Sequence, residues 1–107
     1  DTTHMLEHFV RDTGRLTLER AIHRMTGEVA NDWGLLDRGT IEPGKAADLV
    51  LFDLAELKCG AEEFVDDFPG EANRYVRRSE GYKTVMVNGE IVFDGLGYTQ
   101  QRPGQVV

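Results

Sequence analysis

The sequence predicts an α+β fold in which helices come first and strands follow. Apolar residues recur at the spacing of helix faces from residue 5 to about residue 33. After Gly39 the pattern changes to short apolar runs that are separated by turn residues, which is typical of strands. The length of 107 residues fits one domain.

The first helix presents an apolar face made of Met5, Leu6, Phe9 and Val10. Thr2 or Thr3 is the expected N-cap, because a threonine side chain there can accept a hydrogen bond from a free backbone N–H. Gly14 is expected to end the helix, because glycine adopts the backbone conformation that terminates helices.

Two further helices are predicted before the strands begin. Thr17 caps the second helix, whose apolar face consists of Leu18, Ala21, Ile22 and Met25. A third, short helix runs from about residue 26 to residue 33 and ends at Gly34. Its residues Val29, Ala30 and Trp33 are predicted to point inward, with Trp33 as an anchor of the core.

The strand candidates are Thr40–Ile41, Asp48–Phe52, Thr84–Val87 and Glu90–Phe93. Pro43-Gly44 predicts a type II turn, since proline presets the first φ and glycine accepts the positive second φ. Asn88-Gly89 between two apolar runs predicts a type I′ hairpin. The four apolar residues from Leu49 to Phe52 predict a strand covered on both faces, which requires neighbouring strands beyond those of this chain.

The segment from Leu54 to Ser79 has a weak pattern and is predicted to be a solvated acidic loop. Its acidic residues are Glu62, Glu63, Asp66, Asp67 and Glu71. Three basic residues follow, on a short helix or an edge strand: Arg74, Arg77 and Arg78. The tail from Tyr98 to Val107 is predicted to be irregular.

Charge and composition exclude several classes of partner. The net charge of −7 argues against binding to nucleic acid or to an anionic membrane. The single cysteine, Cys59, excludes an internal disulfide framework and fits a reducing compartment. No apolar run has the length of a membrane span and no secretory signal is present, so we expect a cytoplasmic protein.

One short motif has the pattern of a metal site. Residues 4–8 read His-Met-Leu-Glu-His, which matches the H-x-x-E-H pattern of inverted zinc proteases, and Glu80 could complete the ligand set. The pattern fixes only three positions, and 107 residues are too few to build a protease chamber. We therefore interpret His4 and His8 as residues on the solvated flank of the first helix.

The other candidate residues are interpreted as structural. His23 and the arginines 74, 77 and 78 are assigned to solvated surfaces, although the arginines could contact an acidic substrate or a partner subunit. Cys59 is expected to be an inert thiol. Asp48 is expected to accept backbone N–H groups at a turn. Asp66 and Asp67 are adjacent and would point apart on an extended segment, so they make a poor acid–base pair.

Three longer stretches resemble a known superfamily. They read LTLERAIHRMT at residues 16–26, GLLDRGTIEPGKAADLVLFD at residues 34–53 and SEGYKTVMVNGEIVFDG at residues 79–95. Together with the closing TQQRPGQVV, they are similar to the carboxyl end of the amidohydrolase superfamily, and within it to the D-aminoacylase-like branch of N-acyl-D-amino-acid deacylases. A chain that begins at Asp1, directly at a helix start, also suggests a piece of a longer protein.

This resemblance implies a fold for each part of the chain and a reaction for the parent enzyme. Residues 1–36 would be the last helices of a TIM-type barrel, and residues 37–107 would be the returning half of a small β-sandwich. Asp1 to His4 would follow the loop that carries the catalytic aspartate, so His4 could line the substrate mouth, although we favour a capping or surface role. The parent enzyme would use zinc to hydrolyse an N-acyl amino acid or a related amide.

The resemblance also implies that the chemistry lies outside this chain. The family's metal ligands and catalytic aspartate belong to upstream barrel strands, so we predict no catalytic, metal or cofactor residue here and an inactive fragment. The expected partners are the missing amino-terminal part of the enzyme, its small-molecule substrate and a possible second subunit. The alternatives are a self-contained interaction module that pairs through a sheet edge, or the small zinc protease.

Overall fold

The computed structural model describes residues 2–70 and 72–106, and the predictions that involve Asp1, Glu71 and Val107 lie outside these residues. The helices are α1 (Thr2–His4), a π-helix (Met5–Asp12), α2 (Leu18–Met25) and α3 (Gly27–Asp32). The strands are β1 (Leu49–Phe52), β2 (Lys58–Phe68), β3 (Ala72–Glu80), β4 (Tyr82–Val87) and β5 (Glu90–Phe93). The predicted α+β order, with helices before strands, is confirmed.

The first helix is present, but it widens into a π-helix. Thr13 N donates to His8 O, five residues earlier, at 3.0 Å. The apolar spacing could not reveal this widening, because Leu6 and Val10 remain on adjacent turns in either geometry. The predicted N-cap is wrong: Thr2 and Thr3 are already helical, and the Thr3 side chain turns towards the strands. Gly14 follows the helix with a φ of +60°.

The second helix agrees with its prediction in cap and in face. Thr17 Oγ1 accepts a hydrogen bond from Arg20 N at 3.2 Å. Ala21 is fully buried and packs with Leu6 and Leu57 in the core. The half-buried side chains around them include Met5, Val10, Leu18, Ile22, Met25, Phe52, Leu54 and Tyr82. The core therefore lies between the helices and the region where the strands begin.

The third helix has the predicted end but not the predicted inward face. Leu35 N donates to Ala30 O and Gly34 N donates to Asn31 O, which is the Schellman pattern, with φ of +71° at Gly34. Ala30 is buried as expected. The predictions for Val29 and Trp33 are wrong. Trp33 follows the last helical residue and is 79% exposed, because no layer of the described chain covers that side of α3.

Both predicted turns are confirmed. Asn88 and Gly89 have φ of +48° and +85° between β4 and β5, as a type I′ turn requires. Gly44 has φ of +90°, and Lys45 N donates to Glu42 O at 3.2 Å across the first turn. The predicted strand Thr40–Ile41 is wrong, because this short segment lies between two glycine turns and makes no ladder.

The main sheet has the antiparallel order β1-β4-β5. Strand β1 is present, and the cover that its apolar run predicts is not supplied by the described residues. Leu49, Val50 and Leu51 are 36%, 52% and 62% exposed. Within the described residues β1 pairs only with β4, so its other edge has no strand partner. No helix of the described chain is long and apolar enough to cross a membrane.

The predicted acidic loop is wrong, because most of it forms the two-stranded hairpin β2–β3. Acidic residues on β2 pair with arginines on β3, so opposite charges replace the apolar alternation that normally indicates strands. The pairs are Glu62–Arg77, Glu63–Arg78 and Asp67–Arg74. The expected irregular tail is found from residue 99 to residue 106, after a single bridge between Phe93 and Tyr98.

Candidate functional site

Long-range polar contacts concentrate where the first helix meets the base of the β2–β3 hairpin. Thr3 is only 3% exposed, and its Oγ1 lies 2.8 Å from both Ser79 Oγ and Tyr82 OH. A buried hydroxyl must find partners to offset its lost hydration, and here two hydroxyls supply them. We call this group of Thr3, Ser79 and Tyr82 the hydroxyl cluster. It joins α1 to β3 and β4.

A second set of contacts fixes the π-helix to the same region. Glu7 Oε2 accepts a hydrogen bond from Cys59 N at 2.9 Å, and its Oε1 lies 3.3 Å from Arg11 Nη2. Arg11 also donates to the carbonyl oxygen of Leu57. Hydrogen bonding to Asp12, together with the charges of Asp12 and Glu7, raises the pKa of Arg11. These groups satisfy one another's hydrogen bonds, so their role is structural: they attach the π-helix to the start of β2.

The H-x-x-E-H segment is not arranged as a metal centre in the described chain. His4 and His8 stack with ring centroids 5.3 Å apart and planes at 4°. Glu7 is already bonded to Cys59 N and Arg11. Across residues 2–70 and 72–106 there is no group of three or more His, Cys, Asp or Glu side chains that could hold a metal ion. This arrangement gives the zinc protease interpretation no support.

Asp48 has the structural role that its position predicts. Its Oδ1 accepts a hydrogen bond from Asn88 N at 2.8 Å, and its Oδ2 pairs with Arg38 Nη1 at 2.8 Å. The carboxylate therefore joins the turn at residues 37–39 to the β4–β5 hairpin. Hydrogen bonding to Arg38 lowers the pKa of Asp37. Arg38 therefore places its positive charge beside both carboxylates, Asp37 and Asp48.

His23 is exposed on α2, as predicted, and borders a cavity of about 410 Å³. The cavity is also lined by Glu28, Arg38 and Lys45. Arg38 and Lys45 each pair with an acidic side chain, so the cavity does not present two free cations. Nothing in this lining identifies a reactive group.

The arginines that follow the acidic segment lie on a strand, one of the two predicted possibilities. Arg74 forms two hydrogen bonds of 2.7 Å with the Asp67 carboxylate. This pairing lowers the pKa of Asp67 and raises the pKa of Arg74. Cys59 begins the hairpin on the opposite strand, half-buried, with its Sγ 3.9 Å from Arg77 Nη1. These contacts join the two strands, so the arginines stabilise the hairpin.

Sequence reasoning missed the hydroxyl cluster. Ser79 and Tyr82 are 76 and 79 positions away from Thr3, and no local pattern relates residues at that separation. The indication in the sequence is a small polar residue in the first turn of an amphipathic helix, which predicts a cap. A cap and a buried tertiary contact require the same residue type.

With this geometry established, comparison with known proteins gives the family. The amidohydrolase family matches residues 1–93. The chain is 40% identical over 105 residues to the N-acyl-D-aspartate deacylase of Alcaligenes xylosoxydans xylosoxydans. It is 37% identical over 103 residues to the D-aminoacylase of the same organism. The chain therefore belongs to the amidohydrolase family.

Solved structures agree with this assignment. A crystal structure of D-aminoacylase superposes with a TM-score of 0.72 at 36% identity, covering 94% of this chain and 19% of that one. Another D-aminoacylase structure, from work on the binuclear metal center of that enzyme, gives a TM-score of 0.70 at 35% identity, with the same coverage of both chains. The alignments with the two curated relatives include 98% and 96% of this chain, but only 19% of the length of each relative. The chain thus spans about a fifth of the enzymes that it resembles.

Proposed function

We propose that this chain is the carboxyl-terminal part of a metal-dependent amide hydrolase that removes the acyl group from an N-acyl-D-amino acid. The observation that carries the proposal is the collinear match to deacylases over almost the whole chain, at up to 40% identity over 105 residues. Within that enzyme, the chain contributes framework and is catalytically inactive by itself.

The framework has two parts. Residues 1–36 form the last helices of a TIM-type barrel, and residues 37–107 form the returning half of a β-sandwich. The exposed edge of β1 supports this division, because an apolar edge strand requires a pairing partner or cover. Strands from the amino-terminal part of the enzyme would pair with β1 and cover its face. The predicted cytoplasmic location and a possible homo-oligomer stay predictions.

The metal of the proposed enzyme is zinc, which would activate a water molecule against the amide carbonyl. D-aminoacylase, to which this chain is similar, has a binuclear metal center. The residues described here do not fit a metal site, since no three potential ligands lie together. The ligands would therefore come from other parts of the enzyme, and we assign no catalytic step to a residue of this chain.

A second candidate function is an independent interaction module that pairs through a sheet edge. The free edge of β1 is the observation that favours it. An independent module would be a folded monomer with a cooperative unfolding transition, and it would then bind an extended peptide along this edge. A fragment that lacks its neighbouring strands would instead self-associate through the exposed edge, so its melting temperature would depend on concentration. Sedimentation and thermal unfolding of the 107-residue chain separate the two.

The proposed activity is tested on the longer protein that contains this chain. We expect hydrolysis of N-acetyl-D-amino acids, loss of turnover after metal removal and recovery on addition of zinc. The matching N-acetyl-L-amino acids serve as the control for stereochemistry. An enzyme that ignores all N-acyl amino acids but hydrolyses another amide would place the protein elsewhere in the amidohydrolase family.

A further inference from the structure

The first turn of α1 is attached to the sheets by a buried side chain. Thr3 is 3% exposed, and its hydroxyl bonds to Ser79 on β3 and to Tyr82 at the start of β4. These two partners lie on either side of the short connection from β3 to β4. The amino end of the helix is therefore held against the base of the β2–β3 hairpin.

The rest of the first helix is attached along the same side. Glu7 accepts a hydrogen bond from Cys59 N. Arg11 donates to the carbonyl oxygen of Leu57. Thr3, Glu7 and Arg11 follow one another at intervals of four residues, which places them on one face of a helix. Of these three attachments, the hydroxyl cluster is the one nearest to the amino end of the helix.

The base of the hairpin is a firm support for this attachment. Gly81 connects β3 to β4 with a φ of +90°, and a Cβ at this position would lie 2.6 Å from the backbone of residues 56 and 57. Asp53 N also donates a hydrogen bond to Gly81 O at 3.2 Å. The connection is thus packed against the segment that leads into β2, and this packing fixes the positions of the two partners of Thr3.

The position of Thr3 matters for catalysis if residues 1–36 are barrel helices, and this step rests on the proposed function. In barrel enzymes a strand precedes each helix, and the loop between them lies at the catalytic face. Helices α2 and α3 each follow another helix with no strand between. Among the described helices, α1 is therefore the one that can follow a barrel strand. Thr3 lies in its first turn, directly after the loop that reaches the catalytic face.

We propose that Thr3 is a positioning residue of the proposed enzyme. Through the hydroxyl cluster, the base of the hairpin holds the loop before α1 in the geometry that hydrolysis requires. Thr3 is buried against β3 and β4, so it acts through the groups that this loop carries and not by touching the substrate. Reaction rates depend steeply on the alignment of reacting groups, so a small shift of this loop is costly.

The test measures kcat and KM of the longer enzyme on one N-acetyl-D-amino acid. Thr3→Val fills the same volume but removes the hydrogen-bond partner of Tyr82, so the first turn should shift. We expect kcat to fall about tenfold, because a misplacement of about 1 Å can lower a rate about a hundredfold. KM should change less than about twofold, since uniform binding of the substrate is kept. Thr3→Ser keeps the hydroxyl and should restore kcat.

Thr17→Ala is the matched control. Thr17 also uses its hydroxyl in a hydrogen bond, from Arg20 N at 3.2 Å, but it begins a helix that follows another helix. Its loss should lower the melting temperature and leave kcat unchanged, because no loop of the catalytic face precedes α2. Each variant is assayed below its melting temperature, and circular dichroism confirms that it is folded.

The outcomes separate this inference from the proposed function. An unmodified longer enzyme that hydrolyses no N-acyl-D-amino acid contradicts the proposed function itself. In an active enzyme, an unchanged kcat in Thr3→Val, an equal fall in Thr17→Ala, or no recovery in Thr3→Ser overturns the positioning role alone. If Thr3→Val does not fold, Tyr82→Phe replaces it, because phenylalanine keeps the ring that packs against Phe52. An unchanged kcat in Tyr82→Phe would then overturn the inference.

Discussion

The hydroxyl cluster allows a quantitative test of how the first helix is attached to the sheets. Thr3→Val keeps the shape of the buried side chain but removes the oxygen that lies 2.8 Å from both Ser79 Oγ and Tyr82 OH. A hydrogen bond contributes roughly 0.5–1.5 kcal/mol to stability, so the loss of two should lower the free energy of unfolding by about 1–3 kcal/mol. Ser79 is exposed and can bond to water instead, which places the expected value near the middle of that range.

A double-mutant cycle makes the test specific to this contact. Tyr82→Phe removes the other hydroxyl, and urea unfolding measures the single variants, the double variant and the unmodified protein. We expect a coupling energy of about 1 kcal/mol between positions 3 and 82, because contacting residues are not additive. Thr3→Ser is the control: it keeps the hydroxyl and should preserve the coupling. Effects that add to within roughly 0.3 kcal/mol would refute the contact.

Three further predictions concern the core, a turn and the hairpin. Leu57→Ala should lower the free energy of unfolding in urea by about 2–5 kcal/mol, because Leu57 is fully buried. Leu36→Ala is the control and should cost less than about 0.5 kcal/mol, because Leu36 is 83% exposed. Equal costs would contradict the position of the core. Gly81→Ala should lower the melting temperature far more than Gly14→Ala. Both glycines have positive φ, but only at Gly81 would the new Cβ lie 2.6 Å from the backbone of residues 56 and 57, so matching losses would exclude this steric reason. Acid should weaken the hairpin, because Arg74 lowers the pKa of Asp67 from its ordinary value of 3.8. The stabilisation by this ion pair is complete above the ordinary pKa of Asp67 and is lost as pH falls through the lowered pKa. Asp67→Asn should therefore reduce the acid dependence of backbone hydrogen exchange in the hairpin. An unchanged dependence would contradict the pairing.

Features set by neighbouring residues could be predicted from the sequence. The Asn88-Gly89 hairpin and the Pro43-Gly44 turn follow from the φ values that glycine and asparagine accept, and both are found. The Thr17 cap is found for the same reason, because its hydrogen bond joins residues three positions apart. In each case the physical cause is contained within four residues.

Features set by distant residues could not be predicted. The β2–β3 hairpin escaped detection because its strands are held by charged cross-strand pairs such as Asp67–Arg74, which have no apolar period. The size and spacing of Trp33 predict a core residue, yet no residue described here covers its side chain. The role of Thr3 depends on Ser79, 76 positions further along the chain. The other contacts of the candidate site are of the same kind, because Glu7 bonds to Cys59, 52 positions further along the chain.

The central claim is that this chain provides framework to an amide hydrolase and performs none of its chemistry. The most direct measurement compares hydrolysis of one N-acetyl-D-amino acid by the isolated 107-residue chain and by the longer enzyme, at equal concentration and with zinc supplied. We predict turnover by the longer enzyme and only the buffer rate with the isolated chain. Turnover by the isolated chain at a rate comparable to that of the longer enzyme would contradict the claim.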